Sequence, residues 1–372
     1  MANLALYRKY RPKAFSEVIG QEHIVQTLKN AVAHNLISHA YVFSGPRGSG
    51  KTTIARLLAK SVNCESASGR TNGEPCNACS SCLELNEARS MDLIEIDAAS
   101  NRGIDEMRAL KEGIGFLPSK LRYKVFIVDE AHQLTKEAAN ALLKTLEEPP
   151  SHAIFILATT ELHKMIPTIV SRCQRFDFRR LRVVEIVERL KSLIKSEKAS
   201  IEPAALELIA LNSGGSLRDA ESLLDKVLTF HAGSGKNVVV GREEVEQLLG
   251  IVDITILSHF VSLLQAKDAG IAVEYLNARL EEGMDPYEFA KNLVQYLREA
   301  LILKINPNLK TELLQGFTKE QQDKILEQSS QFSLPLLQKI IEYFVEAENK
   351  MKYASIVQLP LELAIIDSCT ST

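Results

Sequence analysis

Residues 45–52 read Gly45-Pro46-Arg47-Gly48-Ser49-Gly50-Lys51-Thr52 and fit the pattern G-x-x-x-x-G-K-[ST] at every specified position. The chemistry of such a stretch is phosphate binding. Glycines let successive backbone N–H groups close around phosphate oxygens, and the positive end of a following helix adds to the attraction. Lys51 has the reach for β- and γ-phosphates, the Thr52 hydroxyl suits Mg²⁺, and Thr53 follows on the same helical turn.

A second chemical pair lies downstream. The apolar run Val125-Phe126-Ile127-Val128 leads directly into Asp129-Glu130-Ala131-His132. After a P-loop, an acidic pair at the end of a buried strand places Asp129 near the metal and Glu130 where it polarises an attacking water as general base. The letters Asp-Glu-Ala-His also label a helicase family, but that family needs a second sheet domain and residues 181–372 read as helical. The run Ile154 to Ala158 ends in Thr159-Thr160, where a hydroxyl suits sensing of a γ-phosphate; an ordinary strand-end cap accounts for it as well. From local sequence alone, Arg172 in Ser171-Arg172-Cys173 and Arg218 in Ser216-Leu217-Arg218-Asp219 read as surface charges.

Four of the six cysteines, Cys64, Cys76, Cys79 and Cys82, fall within 19 residues. In a cytoplasmic chain that clustering favours metal over disulfides. No histidine lies between them, so the ligand set is all sulfur, which matches a closed tetrahedral structural zinc site. An iron–sulfur cluster is the alternative, without the trailing Cys-Pro of the ferredoxin pattern. The segment interrupts the P-loop unit, and a metal there would hold a surface insertion together.

These groups need a scaffold. Ala40 to Ser44 reads as a buried strand and Thr53 to Asn63 as a helix, the order a P-loop requires. Gln21 to Asn35 is an amphipathic helix, preceded by the basic-aromatic Tyr7-Arg8-Lys9-Tyr10-Arg11-Pro12. Further strands are expected at Asp92–Asp97, Lys124–Asp129, Ala153–Ala158 and Gln174–Phe178. Helices are expected over 104–115 and from Lys136 to Glu148, where Pro149-Pro150 stops the second. Alternating strands and helices imply a mostly parallel α/β sheet with its ligand at the strands' carboxyl ends. After Leu181 no further strand is expected. Helices Glu185–Ser196, Pro203–Asn212 and Leu217–Phe230 form a small lid, with Ser216 as an N-cap, and from Arg242 the chain is helical.

At 372 residues, two or three domains are expected. No apolar run approaches the roughly 18 residues of a membrane helix. The first residues lack a signal-peptide layout, so a cytoplasmic location with no membrane partner is expected. From Ile254 onward, 11 Lys and Arg face 16 Asp and Glu, so nucleic-acid contact is expected from the first part of the chain. Arg102, Arg108 and Lys111 are candidates there, a solvated helix face being the alternative.

Taken in order, these motifs resemble one family. They are Tyr7 to Pro12, Gly20-Gln21-Glu22-His23, the P-loop, the four cysteines, Asp129-Glu130, and Leu143-Lys144-Thr145-Leu146-Glu147-Glu148-Pro149-Pro150. Ala158-Thr159-Thr160, Ser171-Arg172-Cys173 and Gly215-Ser216-Leu217-Arg218-Asp219 complete the series. The series resembles the gamma/tau subunits of bacterial DNA polymerase III, AAA+ ATPases of the sliding-clamp loader, from Tyr7 to about Ala220. The resemblance implies an α/β P-loop AAA+ core over residues 1–180 with a zinc-binding insertion at 64–82. A helical lid over 181–242 and an all-α collar over 243–372 would follow.

It implies ATP with Mg²⁺, structural Zn²⁺, and ATP hydrolysis that opens the clamp and loads it onto primer–template DNA. Implied partners are the delta and delta prime subunits, further gamma/tau copies, the clamp and DNA. Arg172 matches the family's arginine finger, acting on a neighbour's ATP, and Arg218 the lid arginine at its own site. Thr160, with Thr159 as the alternative, matches the strand-end sensor, and Tyr7 and Arg11 frame base and ribose. In the family's longer form, a region beyond the collar serves polymerase and helicase contacts. A DNA-translocating helicase and an ATP-binding assembly scaffold are the rival functions.

Overall fold

The structure, a computed structural model, describes residues 4–100, 113–231, 239–250, 252–310 and 319–370. Arg102, Arg108, Lys111 and most of the helix expected over 104–115 lie outside the described residues. The chain divides into two compact units, residues 1–199 with 209–236, and residues 200–208 with 237–372.

In the first unit, α1 (Leu6–Lys9) and α2 (Glu22–Ala33) precede β1 (Ala40–Ser44). After β1 come α3 (Lys51–Val62) and two short helices, α4 (Ala67–Asn72) and α5 (Ser80–Asn86). Strands β2 (Leu93–Asp97) and β3 (Lys124–Asp129) lead to α6 (Lys136–Glu147), β4 (Ala153–Thr159), α7 (Pro167–Val170) and β5 (Gln174–Asp177). The five strands form one sheet in the order β2-β3-β4-β1-β5. Every pairing in it is parallel. Side chains alternate across the sheet, as a period of two requires. Tyr41, Phe43, Val125, Ile127, Ile154 and Ile156 pack with Ile24 and Leu28 of α2 and with Ile54, Leu57 and Leu58 of α3. Val42, Phe126, Val128, Phe155 and Leu157 face Leu142 and Leu146 of α6 instead. The central strands are buried on both faces and read as continuous apolar runs, whereas edge strands β2 and β5 carry Glu95, Gln174 and Arg175.

The strand order sets the chemistry. β4 lies between β1 and β3, so the carboxyl ends of β1, β4 and β3 stand side by side. Ser44 pairs with Thr159, and Gly45 N–H donates to the Thr159 carbonyl at 3.1 Å. P-loop, threonine pair and acidic pair therefore meet on one edge of the sheet.

Helices α8 (Val183–Glu197), α9 (Pro203–Asn212) and α10 (Leu217–His231) follow. Ser216 Oγ accepts from Asp219 N–H at 3.2 Å and caps α10. One expectation is corrected here. Strands do not stop at Leu181: β6 (Ser200–Ile201) pairs in parallel with β7 (Val239–Val240). Two-residue strands are too short to leave a periodic signal in the sequence.

Among the described residues, the regular structure of the second unit is otherwise helical: α11 (Arg242–Leu249), α12 (Ile254–Gln265), α13 (Ala269–Glu281), α14 (Pro286–Ile305), α15 (Lys319–Gln331), α16 (Leu334–Met351) and α17 (Leu359–Thr370). Pro286 and Pro335 sit in the first turn of α14 and α16, where the missing N–H is not needed. Asp253, Asp268, Asp285 and Ser333 cap their helices with side-chain oxygens. Phe260, Phe289 and Phe344 form the centre of this core. Among the described residues, no single helix is long and apolar enough to cross a membrane.

Glu299 on α14 is only 7% exposed and accepts one bond, from Gln295 Nε2 at 2.6 Å. Burial pushes its carboxyl from the ordinary 4.5 up to about 7. Between those values the unfolded chain releases a proton that the folded chain keeps. Stability of the second unit therefore falls as pH rises from about 4.5 to about 7, then levels. Glu299→Gln is expected to flatten that dependence and to stabilise the unit above pH 7 by up to about 3 kcal/mol. Urea unfolding of both proteins at pH 5 and pH 8 measures it.

Candidate functional site

The P-loop closes as its residues require. Gly48 and Gly50 hold φ of +73° and +99°, in the left-handed region that favours glycine. At Gly48 space is also lacking, because a Cβ there would lie 1.9 Å from Ser216 Oγ, at the start of α10. Leu217 N–H donates to the Gly48 carbonyl at 3.2 Å, so lid and loop touch through backbone. Lys51 is 6% exposed, and its Nζ donates to the carbonyls of Gly45 and Pro46 at 2.7 and 2.8 Å. Burial lowers its pKa, and Glu130 and then Asp129 oppose that shift.

Thr52 Oγ1 donates to Asp129 Oδ2 at 2.8 Å, and Asp129 Oδ1 accepts from Glu130 N–H at 3.0 Å. A hydroxyl beside a carboxylate is the hard-oxygen donor set that suits Mg²⁺. Glu130 has φ of +48°, uncommon for a residue with a side chain. That turn aims its carboxylate at the end of β4. There Glu130 Oε2 accepts from Thr160 Oγ1 at 2.8 Å and from Thr160 N–H at 3.3 Å. Of the two threonines, Thr160 thus meets the acidic pair. Thr159 is fully buried, its Oγ1 2.9 Å from His132 Nδ1. His132 Nε2 lies 3.1 Å from Glu161 Oε2. His132 and Glu161 were not anticipated from the sequence as a pair beside Glu130; the Asp-Glu-Ala-His segment supplied His132 but not its surroundings.

A cavity of about 250 Å³ runs from this edge to the lid and the N-terminal segment. Arg47 to Thr53, Asp129, Glu130, Tyr7, Arg11 and Arg218 line it. The Arg218 guanidinium stacks over the Tyr7 ring at 4.7 Å. Hydrogen bonding by Arg8, then by Arg218, holds the Tyr7 phenol below its ordinary pKa. Two residues not anticipated also line the wall, Arg189 and Glu221, paired at 3.2 Å with Arg189 bonded to the Tyr10 carbonyl at 2.5 Å. Gln21 is 1% exposed, and its amide donates to the Arg179 carbonyl at 2.8 Å and the Ser49 carbonyl at 3.3 Å.

Arg172 stands apart. It does not line the cavity, and its guanidinium bonds Glu147 at 2.7 Å and the Thr168 carbonyl at 2.8 Å. Gly45 and Pro46 form the base of the loop rather than the cavity wall.

The cysteines converge as well. The Sγ atoms of Cys64, Cys76, Cys79 and Cys82 all lie within 4.8 Å of one another, with Cys76 and Cys82 3.9 Å apart. Tetrahedral zinc with bonds near 2.3 Å spaces its sulfurs about 3.8 Å apart, so the cluster fits a single ion. Burial pushes the Cys82 and Cys64 thiols up. Burial also works against Cys76, but N–H groups of Ala78 and Cys79 pointing at its sulfur bring it down to about 6.

A parallel sheet with a P-loop, an acidic pair one strand removed and a helical lid on the same cavity defines a P-loop ATPase fold of the AAA+ class. Three family models cover nearly all of the chain. Residues 20–182 match "DNA polymerase III, delta subunit", 185–233 the clamp-loader ATPase lid domain, and 240–372 "DNA polymerase III subunits gamma and tau domain III". Bacillus subtilis DNA polymerase III subunit tau is 42% identical over all of this chain and 64% of its own length. DNA polymerase III subunit gamma of Buchnera aphidicola subsp. Schizaphis graminum is 35% identical over 93% of this chain and 94% of its own. The chain therefore belongs to the gamma/tau family of bacterial DNA polymerase III clamp-loader subunits. It spans less than two thirds of the length of the Bacillus relative and about three fifths of the gamma/tau subunit of Mycobacterium tuberculosis. Among solved structures, Thermotoga maritima RuvB, a Holliday junction branch migration motor, aligns over 68% of this chain and 78% of its own at 22% identity and TM-score 0.49.

Gly48→Ala adds backbone strain of about 1–2 kcal/mol to the overlap with Ser216. Nucleotide affinity measured by titration is expected to fall at least tenfold. Adding Ser216→Gly is expected to recover part of that loss, since it relieves the overlap and leaves the strain.

Proposed function

We propose that this chain is an ATP-driven motor subunit of the clamp loader, hydrolysing ATP to ADP and phosphate while the sliding clamp is opened and placed on primer–template DNA. One observation carries the reading. The chain's own cavity gathers Lys51, Thr52, Asp129, Glu130 and Arg218, while Arg172 faces away from it.

Backbone N–H groups of Gly48 to Thr52 and the Lys51 ammonium hold the β- and γ-phosphates. Thr52 and Asp129 would hold Mg²⁺, which when bound neutralises phosphate charge. Glu130, kept in place by Thr160, takes a proton from water as its oxygen attacks the γ-phosphorus and the bond to the β-phosphate oxygen breaks. Arg218 senses the γ-phosphate from the lid, while Tyr7 and Arg11 frame base and ribose. Arg172 leaves Glu147 to stabilise the transferring phosphoryl group on a neighbouring subunit, a role worth about 10³–10⁵ in rate. Neighbours are further gamma/tau copies with the delta and delta prime subunits, in the cytoplasm. Zn²⁺ on the four cysteines is structural, since four sulfurs leave no open position.

The isolated chain is expected to bind ATP and hydrolyse it slowly. Addition of delta, delta prime, clamp and primed DNA should stimulate turnover, and the absence of stimulation would overturn the proposal. Glu130→Gln is expected to bind ATP within a few-fold of wild type while hydrolysis falls about 10²–10⁴-fold. Arg172→Ala should leave the isolated chain's slow rate unchanged and remove the stimulation. Strand separation by the chain without a clamp would point instead to a DNA-translocating motor.

A further inference from the structure

The cysteine insertion touches the body of the first unit on a helix, α3, and on an N-terminal segment that also carry residues lining the cavity. Lys60 lies on α3, two and a half turns from Lys51, and is only 4% exposed. Its ammonium has three donors and three acceptors: the Lys13 carbonyl at 2.6 Å, Asn77 Oδ1 at 2.7 Å and Asn86 Oδ1 at 2.7 Å. Asn77 belongs to the insertion and Asn86 ends α5, the helix that carries Cys82, whereas Lys13 belongs to the N-terminal segment. A second link runs in parallel. Glu74 Oε1, just before Cys76, accepts from the Ser16 N–H and hydroxyl at 2.9 and 3.2 Å, and Glu74 Oε2 pairs with Lys29 of α2 at 2.9 Å. At Gly73 the insertion comes so close to α2 that a Cβ would lie 2.2 Å from the Lys29 carbonyl.

The segment pinned at residues 13 and 16 is a wall of the cavity. Arg11 and Pro12 on one side of these contacts, and Glu17, Val18 and Ile19 on the other, line it. The pins depend on the cysteine loop's shape. Asn77, between Cys76 and Cys79, has φ of +57°, in the left-handed region that asparagine tolerates, and so takes its place from the turn that brings these two sulfurs together. If the loop relaxes, Asn77 leaves Lys60, and a buried ammonium short of an acceptor is costly enough to move its surroundings.

We infer that the cysteine module buttresses the N-terminal wall of the nucleotide cavity, so that metal occupancy and nucleotide affinity are coupled through Lys60 and Glu74. This rests on the P-loop as nucleotide site and the cysteines as metal site. The module is then more than a clasp for its own loop. Linkage makes the coupling reciprocal: nucleotide must retard loss of metal by the same free energy that metal contributes to nucleotide binding.

The test uses the full chain and a fluorescent ATP analogue, with metal content measured by a chromogenic chelator. Removing the metal is expected to weaken nucleotide binding about 5–150-fold, the range of coupled sites. Saturating ATP should raise the chelator concentration needed to strip the metal by the same factor. Because stripping could unfold the chain, Lys60→Met and Glu74→Ala are assayed with metal retained, and each should weaken nucleotide binding at least fivefold. Wild-type affinity in both metal-loaded variants, or in a metal-free chain with unchanged circular dichroism, overturns the inference. Metal-loaded wild type that binds no better than Lys51→Ala overturns the P-loop reading instead.

Discussion

The hydrogen bond from Thr52 to Asp129 joins residues 77 positions apart, and the arrangement of the cavity's P-loop and acidic pair depends on it. Such a charge-assisted bond contributes about 1.5–3 kcal/mol, but only where both groups are already placed. The sheet places them. β3 and β1 flank β4, all three run in the same direction, and α2, α3 and α6 bury both faces. The carboxyl ends are thereby fixed to within a side chain's reach, and Glu130 needs only one left-handed residue to turn towards Thr160.

Around that edge, polar groups are used as couplers. Gln21 joins the Ser49 and Arg179 carbonyls, and Glu185 at the start of α8 binds Arg179 and Arg182. Hydrogen bonds from the Arg179 guanidinium, and then from Arg182, hold the Glu185 carboxyl well below its usual range against the opposing effect of burial. Gly48 and Ser216 touch so closely that a methyl group would separate them. Loop and lid therefore share one set of contacts. The cysteine insertion joins this set through Lys60 and Glu74 rather than hanging free of it.

Arg172 illustrates a different use of position. Glu147 and the Thr168 carbonyl hold it on the outer surface, which is where the proposed role on another subunit would require it. Such a partly exposed ion pair is weak, about 0–1 kcal/mol, so it orients the arginine without opposing transfer to a stronger partner.

Much of this was legible from the chain. The P-loop, the acidic pair and the cysteine spacing are local patterns whose chemistry follows from residue type and separation. Apolar runs likewise gave the three central strands, β1, β3 and β4, because a strand buried on both faces leaves a continuous apolar stretch. The two-residue strands β6 and β7 escaped, being shorter than any period. Tertiary structure alone decided the choice between Thr159 and Thr160 as the partner of Glu130. It also decided the positions of His132, Glu161, Arg189 and Glu221, and the burial of Lys60 between insertion and wall. Each of these depends on which strand lies beside which and on what fills the space between, and residue spacing along one chain carries no record of neighbours brought together across a sheet.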